Sequence, residues 1–282
     1  MNNEQLNLLI KNALQEDIGD GDHSTLSCIS KDAKGKAVLK IKQDGVLAGV
    51  DVAEKIFRFM EPGIRFNRFK QDGDIMHYGE TAFEVQAHVH TILQCERLVL
   101  NSMQRMSGIA TLTRKYVDAI SGYKTQLLDT RKTTPNFRLL EKEAVRIGGA
   151  MNHRFGLYDM MMLKDNHIDY CGGIEMAISK AYAYKQQFKP ALKIEVETRN
   201  LQDVEMVLLT GKADRIMLDN FSPAQIVEAL KLIDGKYETE ASGGINLDNI
   251  REYAATGVDF ISSGAIIHQA VSLDLSLKAF IV

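Results

Sequence analysis

Apolar and polar positions follow two different rhythms along this chain, and the change falls near residue 120. In the first stretch, short alternating segments are interleaved with helical ones. MNNEQLNLLIKNALQED predicts an amphipathic helix over 3–16, followed by a strand near 36–43, a helix near 51–60 and a strand near 81–90. In TAFEVQAHVH the apolar Phe83, Val85, Ala87 and Val89 alternate with Glu84, Gln86, His88 and His90, the period of a half-buried strand. A long helical pattern over 95–120 takes much of its apolar face from Leu98, Leu100, Met103 and Met106. These elements predict a mixed α+β domain.

Beyond 120 the rhythm becomes strand, helix, strand, helix. Apolar strands are expected near 125–130, 160–164, 192–197, 215–219, 237–241 and 260–264, with helical stretches such as NLQDVEMVLLTG and NLDNIREYAATG between them. Strand-to-helix units in series imply a parallel sheet, either a barrel or doubly wound. No glycine-rich dinucleotide fingerprint or Walker loop follows a strand, which weakens the doubly wound option. The expected division is an N-terminal α+β domain over 1–110 and an α/β barrel over 111–269, with the tail 270–282 packing back on the first domain.

Composition narrows the function. With 282 residues, 45% hydrophobic and 25% charged, the chain can bury a sizeable core. A formal net charge of -3 gives no global attraction to nucleic acid or acidic membranes, so any anion site must be local. Cys28, Cys95 and Cys171 are odd in number, far apart and without CxxC spacing, which argues against a disulfide framework or zinc ribbon and fits a reducing cytoplasm. The start lacks the basic region and apolar core of a signal peptide, and no apolar run reaches about 18 residues, so no membrane segment is expected.

The candidate chemistry gathers at strand ends. DTRKTTPNFRLLEKEAVRIGGAMNHRFGLYDMMMLKDNHI packs Arg131, Lys132, His153, Arg154 and Lys164 around short apolar segments, a cation set that suits an anionic ligand. Lys142, Glu143 and Arg146 within it fit ordinary helix-surface charges. In a barrel, function sits at the C-terminal ends of the strands. Polar groups recur there: Asp129 to Lys132, Lys164 with Asp165, Glu197, Asp219, Ser242 to Gly244, and Ser262 to Gly264. The last two sets resemble a phosphate pocket for a phosphorylated sugar or nucleotide. Glu197 and Asp219 offer hard oxygens that magnesium would accept, directly or through water, or else serve as exposed helix caps. His88 and His90 share a predicted strand face without a third metal ligand, so a solvated face is the simpler reading. The acidic EDIGDGDHS lacks EF-hand spacing and reads as turn and cap chemistry. Arg97 beside Glu96 reads as a surface ion pair.

The runs ERLVLNSMQRMSGIATLTRKY, DTRKTTPNFRLLEKEAVRIGGAMNHRFGL, LKDNH, EVETRNL, IMLDNFSP, EASGGI and GVDFISSGA closely resemble the quinolinate phosphoribosyltransferase family, in that family's order and, with EDIGDGDHS, over nearly the whole chain. Asn136-Phe137 and Ala150 stand where the family pattern has glycine-containing variants. The resemblance implies an α/β protein: an N-terminal mixed α+β domain, then an incomplete (β/α) barrel of the type II phosphoribosyltransferase kind. It implies transfer of phosphoribosyl from 5-phosphoribosyl 1-diphosphate to quinolinate with magnesium, releasing pyrophosphate and carbon dioxide and giving nicotinate mononucleotide for NAD synthesis. It also implies a homodimer with Arg97 donated to the neighbouring subunit's site. Thr130, Arg131, Lys132, His153, Arg154 and Lys164 would cradle quinolinate and diphosphate, with Lys132, Lys164, Glu197 and Asp219 nearest the chemistry. Glu197 and Asp219 would serve ribose and magnesium. Ser242, Gly243 and Gly244 with Ser263, Gly264 and Ala265 would hold the 5-phosphate. Other readings are a same-fold paralogue for another anion, a Schiff-base aldolase using Lys164, or a non-catalytic phosphate-binding module.

Overall fold

The computed structural model describes residues 3–281. Helices α1 (Asn3–Ile18) and α2 (His23–Cys28) lead into β1 (Lys34–Ile41), β2 (Gly45–Val46), α3 (Val50–Met60), β3 (Arg65–Arg68), β4 (Ile75–Met76), β5 (Thr81–His88) and the long α4 (Val89–Ala119). Then come β6 (Gln126–Leu128), α5 (Arg138–Ile147), β7 (Met161–Leu163), α6 (Asp165–Cys171) and α7 (Ile174–Phe188). The alternation continues through β8 (Ile194–Thr198), α8 (Leu201–Thr210), β9 (Arg215–Asp219), α9 (Pro223–Ile233), β10 (Glu238–Ser242), α10 (Ile250–Ala255), β11 (Phe260–Ser262) and α11 (Ala265–His268), before β12 (Leu275–Ile281). The described residues form two compact units: one takes the chain through Arg114, Thr133–Gly149 and the chain from Ile266, the other Lys115–Lys132 and Ala150–Ala265.

The first unit is built on an antiparallel sheet of order β12-β1-β5-β3. Period-2 alternation buries Ala37, Leu39 and Ile41 of β1 and Val85 and Ala87 of β5. Phe83 is buried with them, stacked on Phe66 at 4.5 Å and edge-on to Phe57 of α3 at 6.3 Å. Leu6, Ile10 and Leu14 recur every fourth residue on α1 and are all buried. Asp22 caps α2 by accepting from the Thr25 amide at 3.1 Å, so part of the acidic turn is helix-cap chemistry.

Two sequence expectations shift here. The strand expected to reach residue 90 ends at His88, and the helix expected from 95 starts at Val89. The ladder stops because the β1 partner of His88 is Lys34, at the start of its strand, after which the Val89 amide turns to the Ala33 carbonyl. His90 therefore lies on a helix, its Nε2 3.1 Å from the Ile29 carbonyl, while His88 Nδ1 lies 2.9 Å from Glu61 Oε1; the two share no face. Residues 133–149, expected in the second domain, group with the first unit. The reason is Glu141, fully buried on α5, which accepts from Arg105 Nε of α4 at 2.9 Å and from the Thr134 amide at 2.8 Å. On that helix Arg146 is exposed and paired with Glu143, as a surface charge should be, but Lys142 is buried.

The second unit holds a six-stranded parallel sheet of order β6-β11-β10-β9-β8-β7. From β7 to β11 neighbours follow chain order, and β6 joins the ring by pairing with β11. The edge strands β6 and β7 are not paired with each other among the described residues, so the barrel is incomplete. Its seam lies where the chain between Leu128 and Met161 leaves the sheet, marked by a single parallel bridge from Leu128 to Met151. The helices that follow start on local signals: Asn200 caps α8, and Ser222 with Gln225 makes a capping box with Pro223 at the first turn of α9.

Candidate active site

Arg131, Lys132 and Arg154 of the second unit lie on the seam. Asp129, fully buried just after β6, accepts from the His153 amide and from Asn152 Nδ2, both at 2.8 Å, and so ties the two lips of the seam together. Thr130 Oγ1 accepts from the Lys132 amide at 3.0 Å, a tight local turn that leaves Lys132 exposed and Arg131 half-buried. On the opposite lip Arg154 is half-buried, its Nη1 3.4 Å from the Met160 carbonyl. Burial, and after it the charge of Arg131, push the Arg154 guanidinium below its ordinary range. A guanidinium disfavoured by burial and by a neighbouring cation suits the binding of an anion.

The remaining strand ends ring the same mouth. Lys164, immediately after β7, places Nζ 3.3 Å from Oε2 of the largely buried Glu197 on β8. Asp219 closes β9, half-buried, and accepts from Asn220 Nδ2 at 2.7 Å. Asn220 takes a left-handed φ of 58° and donates its amide to the Ser242 carbonyl at 2.8 Å. Gly243 must be glycine: its φ is +95°, and a Cβ there would meet Asn220 Oδ1 at 2.2 Å. Gly244 is exposed beyond it. Ser263 is buried; its amide donates to the Leu128 carbonyl at 3.1 Å and its hydroxyl to the Ile245 carbonyl at 2.9 Å, which holds the turn after β10 against the turn after β11. The Ser263 hydroxyl is thus a brace within the fold.

Beneath the mouth lies a charged interior. Strand alternation puts Glu195 with Glu197, Arg215 with Asp219, and Glu240 with Ser242 on one face. His153 Nε2 lies 3.0 Å from Glu195 Oε2 and 3.2 Å from Glu240 Oε2, and Arg215 Nη1 lies 3.1 Å from Glu240 Oε2. Burial disfavours the imidazolium, but the two glutamates outweigh it and raise His153 to about 9. Burial and the neighbouring Glu240 raise Glu195, whereas His153, Ser262 and Arg215 overcome burial at Glu240 and lower it. His153, Glu195 and Glu240 bring ligand atoms within 4.8 Å of one another, yet the Arg215 guanidinium already supplies positive charge there, so the cluster is neutralised without a metal.

The family models for the quinolinate phosphoribosyl transferase N-terminal and C-terminal domains match residues 22–107 and 109–278. The chain belongs to the quinolinate phosphoribosyltransferase family. Among similar proteins, a chloroplastic nicotinate-nucleotide pyrophosphorylase [carboxylating] of Oryza sativa subsp. japonica is 43% identical over 97% of this chain and 77% of its own length. A probable nicotinate-nucleotide pyrophosphorylase [carboxylating] of Bacillus subtilis is 40% identical over 98% of this chain and 94% of its own. The crystal structure of NadC from Streptococcus pyogenes superposes with a TM-score of 0.92 at 40% identity, covering 100% of this chain and 99% of that one. The two-domain fold expected from the family resemblance, with its incomplete barrel, is therefore the fold observed.

Within this quinolinate phosphoribosyltransferase fold, Thr130, Arg131, Lys132, Arg154, Lys164, Glu197, Asp219, Ser242, Gly243, Gly244, Ser263, Gly264 and Ala265 all fall at strand ends or on the seam of the second unit. His153 joins them in the backbone, but its ring turns into the barrel. Arg97 belongs to the first unit, 59% exposed on α4 with Nη2 3.5 Å from Glu96 Oε1, the surface pair read from sequence. Asn136 has a φ of 61°, so asparagine supplies there the left-handed conformation that glycine supplies in the family pattern; Ala150 has no such demand. Glu195, Arg215 and Glu240 escaped the sequence reading. Their signal was present, since KIEVET and ETEAS repeat acids at alternate positions of strands that must be buried. No described helix is long and apolar enough to cross a membrane.

Proposed function

We propose that this chain transfers the phosphoribosyl group of 5-phosphoribosyl 1-diphosphate to quinolinate, yielding nicotinate mononucleotide, pyrophosphate and carbon dioxide for NAD synthesis. The observation that carries the reading is the placement of Arg131 and Arg154 on the two lips of the seam, where burial and the charge of Arg131 disfavour the Arg154 guanidinium and a dianion would offset both. Quinolinate carries two adjacent carboxylates that repel one another, and paired guanidinium forks with Lys164 can hold both. Relatives named for this reaction at 40 to 43% identity over nearly the whole chain support it.

In the reaction the pyridine nitrogen bonds to ribose C1 as the C1–O bond breaks, and its electron pair leaves with pyrophosphate. Arg131 and Arg154 orient the ring, while Lys132 and Lys164 offset charge developing on the departing diphosphate. Glu197 faces the ribose as it acquires oxocarbenium character, its carboxylate held by Lys164. The product pyridinium draws electrons from C2, so the bond to the C2 carboxylate breaks with its pair staying on the ring, and a proton then replaces carbon dioxide. Glu197 and Asp219, hard oxygen donors on adjacent strands, fit magnesium directly or through water; when bound it neutralises diphosphate charge. Ser242, Gly243 and Gly244 with Ser263, Gly264 and Ala265 receive the 5-phosphate through their turns. We place the enzyme in the cytoplasm as a homodimer in which the exposed Arg97 completes the neighbour's site.

Incubation with quinolinate, 5-phosphoribosyl 1-diphosphate and magnesium should release carbon dioxide and nicotinate mononucleotide in equal amounts. A folded protein that turns over nicotinate but not quinolinate would overturn the assignment. Arg97→Ala and Arg131→Ala chains, each inactive alone, should recover part of the activity when mixed as subunits. No recovery would place Arg97 outside the neighbour's site.

A further inference from the structure

Glu195 and Glu240 each sit two residues before a mouth residue, Glu197 and Ser242, and both carboxyl groups are fully buried. None of the roles assigned above uses them. His153 connects them to the mouth. Its side chain is 4% exposed, with Nε2 3.0 Å from Glu195 Oε2 and 3.2 Å from Glu240 Oε2. On the other side of the ring Nδ1 accepts from the Arg154 amide at 2.6 Å, and the His153 amide donates to Asp129 Oδ1 at 2.8 Å. Both ring nitrogens are therefore committed to protein, and the ring is not offered to a ligand.

We propose that Glu195 and Glu240 are positioning residues for the dicarboxylate substrate: through the His153 ring they fix the backbone of 152–154, and with it where Arg154 stands against Arg131. The need for such an anchor follows from the seam. After the single bridge at Met151, residues 152–160 form no strand or helix, so no ladder locates this lip of the mouth. An apolar plug would fill the same space, but dispersion contact is non-directional, whereas electrostatic attraction that holds one ring nitrogen 3.0 and 3.2 Å from two buried carboxylates fixes where the ring lies. Arg215, 3.1 Å from Glu240 and stacked over Phe260 at 4.2 Å, balances the charge from below and holds Glu240 in place. Ser262 also donates to Glu240, so Glu195 is the cleaner position to vary.

The choice of quinolinate as the ligand rests on the function proposed above, so the test has one arm that needs no substrate. In the full-length wild type labelled with 15N-histidine, the His153 Nε2–H should exchange slowly with water and should exchange faster in Glu195→Gln. A ring proton that exchanges freely in the wild type overturns the anchor, whatever the enzyme acts on. In the second arm, Glu195→Gln and His153→Gln should each raise KM for quinolinate about 10-fold while KM for 5-phosphoribosyl 1-diphosphate changes less than about 2-fold, the size expected for a slightly misplaced cation. The double variant should be no worse than His153→Gln alone, because Glu195 acts through the ring. Equal rises in both KM values, or additive effects, would reduce the cluster to a structural role. If the wild type turns over a different anion, the function assignment fails, and the same split is read with that anion.

Discussion

The antiparallel sheet of the first unit turns Ala37, Leu39, Ile41, Phe83 and Val85 into its core, whereas the parallel sheet of the second carries Glu195, Arg215 and Glu240 inward around His153. The side chains of both interiors are almost completely buried. The first is held by area removed from water, about 25 cal/mol per Å² of apolar surface, and tolerates small shifts because that force has no direction. The second spends part of its stability on desolvating charges and gains fixed orientation. Strength and precision are thus assigned to different sheets, and the mouth of the candidate site stands above the charged one.

Mutations that strike one interior at a time test this contrast. The largest effect is expected at Phe83→Ala, which removes a fully buried ring packed on Phe57 and Phe66. It should cost about 4 kcal/mol of unfolding free energy in a denaturant titration. A loss under about 1 kcal/mol would show that the aromatic cluster is not the first unit's anchor. Next comes Arg131→Ala, for which kcat/KM for quinolinate should fall about 10²- to 10³-fold, about 3 to 4 kcal/mol of transition-state stabilisation. Its melting temperature should fall far less than that of Phe83→Ala, since Arg131 is half-buried on the seam rather than in the core. A large stability loss with intact kinetics would reverse the roles given to the two regions.

The smallest expected effect concerns pH. His153 is raised from an ordinary 6.5 to about 9, so its contribution to stability is complete below about 6.5 and disappears as pH climbs through about 9. The loss is at most about 3 kcal/mol, less to the extent that Glu195 shares the proton and that the Arg154 amide, aimed at Nδ1, favours the neutral ring. Calorimetry across that range should show the wild type falling relative to His153→Gln. Parallel curves would mean that the imidazole stays neutral across the range.

Much of this architecture was legible from local pattern. Strands β8, β9 and β10 lie within about two residues of their expected positions because a buried parallel strand is a short apolar run whatever surrounds it. The cations on the seam were legible as well, since Arg131, Arg154 and Lys164 interrupt such runs. His153 reads identically in sequence; only its distances to Glu195 of β8 and Glu240 of β10 show that its ring turns inward. Lys142 reads as a surface charge by the same logic, yet the fold buries it.

The sequence by itself determined the two rhythms, the residue types at each strand end, and the family. Those are properties of neighbouring residues, set by backbone sterics and by period. Tertiary structure alone decided that the barrel opens between β6 and β7, that 133–149 joins the first unit, and that His153, Glu195, Arg215 and Glu240 neutralise one another. The physical reason is that a charge takes its role from whatever lies within a few ångströms, and these four come together from residues up to 87 positions apart, His153 to Glu240.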